Sequence, residues 1–268
     1  MPDFLVFLIV WAVFSALGEW AASVWGSHVY YSTASAQALD GVNATDFILK
    51  TLIPLFVFVV LILVFALTKF RAKRGESGNS VYQFKTNKVY ISLWLAITVS
   101  VNFIFLLHPT ASATEAMFNQ YLPQNNKNDL IVNVVARQWE WYFNYPQYGV
   151  TNTVDANGNA VLELPVGRKV EFILRSYDPN HTYDTQLDVI HSFWIPAFGL
   201  KEDIIPGETR VMYVLPNTIT NTAVNPMLRV QCAEVCGPGH PYMEANAAVV
   251  SAGNFNQWIA LQKKNQAS

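Results

Sequence analysis

Long apolar runs dominate the first 107 residues. Residues 51–68 contain no charged side chain in 18 positions, and residues 89–107 contain none in 19. About 20 helical residues span a bilayer core, whereas buried helices of soluble proteins seldom keep apolar runs beyond about 14. The pattern predicts a transmembrane helical hairpin over residues 48–107, joined by a loop at 69–88.

Basic side chains collect in that loop, and they set its orientation. Only one acidic residue, Glu76, accompanies them; the bases are Lys69, Arg71, Lys73, Arg74, Lys85 and Lys88. By the positive-inside rule the loop faces the cytoplasm. The chain after about residue 108 is therefore expected on the outer side of the membrane.

The first 26 residues hold another apolar run, Phe4 to Gly18, without the basic start of a signal peptide. We interpret residues 1–26 as a retained third transmembrane helix, followed by an external loop over 27–47. The alternative is a cleaved leader, because Ala34-Ser35-Ala36 resembles a cleavage site, although it lies far from the apolar run. A mature amino terminus near Gln37 would decide for cleavage.

Residues 108–268 show a different pattern, short segments of alternating polarity separated by turn signals such as Asn157-Gly158 and Pro206-Gly207. The predicted strands are Leu130–Trp141, Ala160–Pro165, Lys169–Leu174, Thr209–Leu215, Leu228–Gln231 and Ala247–Val250. A helix from Asn254 to Lys264, with Asn254 as N-cap, is predicted to follow. The fold class is thus a membrane-anchored all-β protein, with two or three amino-terminal helices before a Greek-key β-sandwich.

Composition narrows the function classes. Charged residues make up 13% of the chain, about half the usual share, and the net charge is −2, which excludes a basic nucleic-acid-binding protein. Two cysteines exclude a disulfide-dense scaffold. Charge stays scarce even in residues 108–268, which predicts that a face of this domain is buried against a partner subunit.

One loop concentrates residues that bind metals. It contains Cys232, Cys236, His240 and Met243 in the spacing C-x3-C-x3-H-x2-M, and His191 lies 41 residues earlier. Thiolate, imidazole and thioether ligands together suit copper, and two thiolates can bridge two copper ions. A disulfide between the cysteines and a Cys2His2 zinc site remain as alternatives.

Three motifs resemble subunit II of haem-copper cytochrome c oxidase over about residues 45–262. They are the cysteine loop with Glu234 between the cysteines, the segment Asp188–Gly207 that carries His191, and the aromatic stretch Gln138-Trp139-x-Trp141. The resemblance implies a cupredoxin-like domain with a binuclear copper (CuA) centre. Its implied ligands are His191, Cys232, Cys236, His240, Met243 and the main-chain oxygen of Glu234.

Further roles are implied by the same resemblance. The Glu234 side chain would bind magnesium at the contact with subunit I, and Trp139 would receive electrons from cytochrome c or another small redox protein. Haem would lie only in the partner subunit, where oxygen is reduced to water with proton translocation. Subunit III is a further implied partner. The membrane would be an energy-transducing one, such as a bacterial or archaeal cell membrane, with the carboxyl-terminal domain on its periplasmic side.

The chain also departs from the family pattern. Glu140 stands where the family usually has Tyr, Glu208 where it has Arg, and Ile91 where it often has a Glu near a proton path. For Trp141 we predict a core or interface aromatic rather than a role in electron entry. Alternative functions are the CuA module of a nitrous or nitric oxide reductase and, in another class, a membrane-anchored copper-delivery protein.

Overall fold

The computed structural model describes residues 3–29, 33–69, 87–112, 128–177 and 189–267, with the single residues 71, 75 and 115. The chain forms two compact units, one of residues 1–30 with 43–116 and one of residues 31–42 with 117–268. The second unit is therefore discontinuous in sequence.

The first unit contains helices long and apolar enough to cross a membrane. They lie within α1 (Asp3–Val29), α2 (Ala36–Lys69) and α3 (Lys88–Phe105), and at most 6% of each apolar window is buried. The predicted third helix is therefore present. The predicted loop over 27–47 is wrong in extent, because α1 continues to Val29 and α2 begins at Ala36. Residues 36–47 contain no apolar run, but they form the amino-terminal part of the helix that contains the run at 51–68. Most of the predicted loop 69–88 lies outside the described residues.

Helix α1 packs antiparallel to α2. The Trp11 indole Nε1 donates to the Pro54 carbonyl oxygen at 2.8 Å, and the Phe7 ring stacks edge-on against Phe58 at 5.7 Å between centroids. A Cβ on Gly18 would lie 2.7 Å from Ile53 Cγ2, so the helices approach closely there. These contacts make α1 part of a helical bundle with α2.

The second unit is a two-layer β-sandwich, as predicted. One sheet has the order β2-β1-β4-β7 and the other β3-β10-β9-β5-β6, with β8 paired to β10. The strands are β1 Leu130–Arg137, β2 Glu140–Asn144, β3 Val161–Pro165, β4 Val170–Ser176, β5 His191–Ile195, β6 Leu200–Ile204, β7 Arg210–Val214, β8 Thr220–Asn221, β9 Val230–Cys232 and β10 Glu244–Val250. Alternate residues of β1 are buried, which matches the period-two pattern. The core lies between the sheets.

Several predicted boundaries are wrong; the strand predicted as Ala247–Val250, for example, begins at Glu244. Leu130–Trp141 is not one strand but β1 and β2, which pair antiparallel around a turn at residues 138–139. Period-two alternation continues on both sides of this turn, and the turn contains neither Gly nor Pro. The last helix, α4, runs Ala252–Gln266, and Ser251, not Asn254, caps it by accepting from the Asn254 N–H at 3.2 Å.

Candidate metal centre

Strand pairing brings His191 and Cys232 together. His191 is the first residue of β5 and Cys232 the last of β9, and these strands pair antiparallel with Phe193 opposite Cys232. The chain then forms a loop containing Cys236 and a single 3-10 turn, His240–Tyr242. Met243 follows immediately before β10. Two strand ends and one loop therefore position all five side chains.

The five side chains form a continuous series of close contacts. Cys232 Sγ lies 3.7 Å from His191 Nδ1 and 3.8 Å from Cys236 Sγ. Cys236 Sγ lies 3.6 Å from His240 Nδ1 and 3.8 Å from Met243 Sδ. Each sulfur thus faces its own imidazole, and the arrangement around the two cysteines is nearly symmetric.

Both cysteines are free thiols, and their 3.8 Å separation is well beyond the roughly 2.05 Å of a disulfide bond. A metal ion can contact both sulfurs, because 3.8 Å is less than twice a metal–sulfur bond of about 2.3 Å. The main-chain oxygen of Glu234 lies 3.1 Å from Cys232 Sγ, so an oxygen ligand is also available beside the sulfur atoms. The Glu234 side chain is exposed.

Burial determines the protonation of the metal-free cluster. His191 is 0% exposed, and this burial, with a smaller contribution from His240, lowers its imidazole pKa to about 4. Burial, and then the neighbouring Cys232, raises the pKa of the Cys236 thiol well above its usual range. A neutral imidazole is ready to bind a metal, whereas the thiols must release protons to do so.

One polar atom of the cluster is unsatisfied. The His191 Nε2 atom is buried and has no hydrogen-bond partner among the described residues. Within the same residues, His191, Cys232 and Cys236 are a group whose ligand atoms lie within 4.8 Å of one another. A buried donor set of sulfur and nitrogen with a thioether beside it fits a soft or borderline metal such as copper.

Trp139 packs on the metal-ligand loop. Its indole Nε1 donates to the Cys236 carbonyl oxygen at 3.1 Å, and Gln138 Nε2 donates to the same oxygen at 2.7 Å. A Cβ on Gly239 would lie 2.2 Å from Trp139 Cδ2, and one on Gly237 would lie 3.2 Å from its Cζ2. Both glycines therefore allow the ring to contact the loop backbone. The ring is 38% exposed, so it joins the surface to the site.

The residues around Trp139 divide between core and surface. Trp141 is buried, as predicted, and its Nε1 donates to the Met243 carbonyl oxygen at 3.2 Å. Glu140 is exposed and accepts from the Tyr142 hydroxyl at 2.5 Å. A cavity of about 310 Å³ beside Trp139 is lined by Glu140 and Glu244 among others.

The structure thus brings together His191, Cys232, Cys236, His240 and Met243, and it places Trp139 against their loop. Sequence reasoning assigned no role to Gln138 or to the two loop glycines. The Gly-Pro-Gly run between Cys236 and His240 was the available signal, because glycine lets another group approach the backbone. Asp188, the first residue of the upstream motif, lies outside the described residues.

Comparison with known proteins finds similarity to cytochrome c oxidase subunit II. Residues 130–250 match the model for cytochrome c oxidase subunit II, periplasmic domain. Cytochrome c oxidase subunit 2 of Alkalihalophilus pseudofirmus is 28% identical over 214 residues, which are 79% of this chain and 55% of that protein. The alternative cytochrome c oxidase subunit 2 of Bradyrhizobium diazoefficiens is 26% identical and covers 78% of this chain and 76% of its own.

Among solved structures, the periplasmic domain of subunit II of cytochrome oxidase of Bradyrhizobium japonicum is 25% identical. It covers 52% of this chain and 96% of its own, with a TM-score of 0.41. The chain spans little more than half the length of the Alkalihalophilus relative.

Proposed function

Residues 130–250 belong to the family of cytochrome c oxidase subunit II periplasmic domains, and we propose that the chain is the copper-bearing subunit II of a haem-copper oxidase. It would accept electrons from an external donor and pass them to haem in subunit I. The whole complex would reduce oxygen to water and translocate protons. Subunit III would be a further partner.

The observation that carries this proposal is the paired arrangement of the two thiols. Each cysteine sulfur faces a different imidazole Nδ1, at 3.7 Å for His191 and 3.6 Å for His240. Two metal ions shared by two thiolates need such a pair of terminal nitrogen ligands, whereas a single ion does not require this symmetry. The proposed centre is therefore binuclear copper.

The proposed copper ligands are His191, Cys232, Cys236, His240, Met243 and the main-chain oxygen of Glu234. Bound copper would supply one-electron exchange between its two oxidation states. The protein's part is to hold these ligands on strand ends and to exclude water. His191 and Met243 are 0% exposed and Cys236 is 2% exposed, so the ligands have little room to move.

Electron entry is proposed at Trp139. The indole is the one aromatic ring that hydrogen-bonds to the Cys236 carbonyl oxygen in the described part of the chain, and it also reaches the surface. Three exposed acids would attract a basic donor such as cytochrome c. Glu140 is next to Trp139, Asp203 lies on β6, and Glu208 follows β6. Such steering raises the encounter rate and weakens with salt.

The Glu234 side chain is proposed to bind magnesium at the contact with subunit I. It is exposed, although its main-chain oxygen lies against Cys232 Sγ. One residue can therefore face the copper site with its backbone and a second ion with its carboxylate, a hard ligand that suits magnesium. The three apolar helices would anchor the protein in an energy-transducing membrane, with the β-domain on the periplasmic side.

Copper delivery is the competing function of another class. A delivery protein must exchange its metal, which requires accessible ligands, and four of the five side chains here are buried. The CuA module of a nitrous or nitric oxide reductase would have the same copper ligands. The apolar helices and Glu234 favour the oxidase over this alternative.

The test is isolation of the protein with its native complex from membranes. We expect haem and copper to copurify with it, and the complex to consume oxygen with a reduced donor. Cys236→Ser should abolish this activity, whereas Ser251→Ala, which removes the cap of α4, should not. A complex without haem, or one that reduces nitrous oxide and not oxygen, would contradict the proposal.

A further inference from the structure

The segment before α2 is built into the β-domain. We name residues 33–38 the clasp. Ala34 and Ser35 are 0% exposed, and Ala34 belongs to the same hydrophobic core as the strands. The Ala34 N–H donates to the Ala197 oxygen at 2.7 Å, and its carbonyl accepts from the Asn217 N–H at 3.0 Å. A residue far away in sequence thus completes the core.

The clasp joins the two sheets. Ala197 lies in the turn Pro196–Phe198, directly after β5, the strand that carries His191. On the other side, the Ala36 N–H donates to the Leu215 oxygen at 3.0 Å, and Leu215 follows β7. The Leu215 N–H in turn donates to Gln37 Oε1 at 3.0 Å. β5 and β7 belong to different sheets, so the clasp bridges them.

Ser35 has two roles with one hydroxyl. Its Oγ donates to the Phe198 carbonyl oxygen at 2.8 Å and accepts from the Ala38 N–H at 3.0 Å. It therefore caps the start of α2 while it binds the turn after β5. Removing the clasp would leave buried carbonyl groups without donors, which is costly.

We propose that the clasp is a permanent part of the β-domain. In consequence, Ala34-Ser35-Ala36 is not a processing site, and the mature protein keeps residues 34–38. The inference goes beyond the proposed function and does not depend on which metal is bound. Its failure would leave the copper proposal untouched.

Two glycines provide a matched pair of variants. Gly199 and Gly149 each end a three-residue 3-10 turn that begins with Pro, with φ of 68° and 66°. An added Cβ at Gly199 would lie 2.8 Å from Ala38 Cα, whereas at Gly149 nothing lies within 4 Å. Gly199→Ala and Gly149→Ala therefore share the backbone strain, and only the first pushes the clasp away.

The experiment uses the full-length protein in detergent. Intact mass and amino-terminal sequencing should find a start before Ala34. Both variants should unfold at a lower temperature than wild type, Gly199→Ala by at least about 3 °C more than Gly149→Ala. Limited proteolysis within residues 33–37 should be about tenfold faster in Gly199→Ala.

A mature amino terminus at Gln37 would overturn the inference, as would equal midpoints and equal proteolysis of the two variants. If Gly199→Ala does not fold while Gly149→Ala does, Ser35→Ala replaces it. The control is then Ser23→Ala, which removes an exposed hydroxyl that donates to the Glu19 oxygen. A midpoint for Ser35→Ala no lower than that of Ser23→Ala would also overturn the inference.

Discussion

Gly239→Ala should separate Trp139 from the metal-ligand loop without straining the backbone. Gly239 has φ of −85° and ψ of 1°, the conformation of the third residue of a type I turn, which is allowed for alanine. The new Cβ would lie 2.2 Å from Trp139 Cδ2, so the ring must move by about 1.2 Å to reach the 3.4 Å of an ordinary contact. The bond from Nε1 to the Cys236 oxygen, now 3.1 Å, would then be lost, at a cost of about 1 kcal/mol.

We expect electron entry to slow by about tenfold to a hundredfold, because misplacements of about 1 Å at a reacting group can cost up to about 10² in rate. The assay is stopped-flow reduction of the copper centre by its reduced donor, with the copper spectrum recorded for the same sample. Gly253→Ala is the control, since its nearest neighbour would be 4.0 Å away. Reduction at the wild-type rate with an unchanged copper spectrum would refute the role of Trp139.

Further predictions concern Trp139, protonation and the metal. Trp139→Phe removes the hydrogen bond from Nε1 to the Cys236 oxygen and should slow copper reduction in stopped-flow experiments. The affinity for the electron-donating protein should change little, and an unchanged rate would count against electron entry at Trp139. In metal-free protein, the free energy of unfolding should fall by up to about 3 kcal/mol as the pH drops from 6.5 to 4. The reason is that His191 binds a proton in the unfolded chain over this pH range, whereas the buried imidazole stays neutral. Denaturant titrations of His191→Gln should therefore lack this fall in the free energy of unfolding. Glu163 lies on β3 and is partly buried, which raises the pKa of its carboxyl to about 7. The folded state therefore holds a proton between pH 4.5 and 7, and stability is lost as the pH rises through that range. Glu163→Gln should remove that loss, and an unchanged pH profile would show that the carboxyl is not desolvated in the folded protein. Removing the metal with a chelator should lower the unfolding temperature of the wild-type protein. Equal unfolding temperatures with and without metal would indicate that the folded protein does not bind the metal more tightly than the unfolded chain does.

The metal ligands could be predicted because most of them lie close together in the sequence. Four of the five side chains lie within twelve residues, and their types already indicate copper. His191 and Cys232 are 41 residues apart, and their contact depends on the pairing of β5 with β9. Sequence alone indicated that these residues belong to one site but not which imidazole faces which sulfur.

Other features could not be read from the chain. The turn between β1 and β2 has no Gly or Pro, so the alternating pattern continued through it. The clasp falls within the predicted external loop 27–47, and the burial of Ser35 depends on a partner more than 150 residues away. Tertiary contacts, not local preference, decide both cases.

The EPR spectrum of the copper-loaded full-length protein would show directly whether the copper centre is binuclear. We expect two copper ions per chain and, in the mixed-valence state, a seven-line hyperfine pattern from one electron shared by both ions. Cys232→Ser and Cys236→Ser should each destroy this pattern. A four-line spectrum from a single copper ion in the wild-type protein, or one metal ion per chain at saturation, would show that the centre is not binuclear.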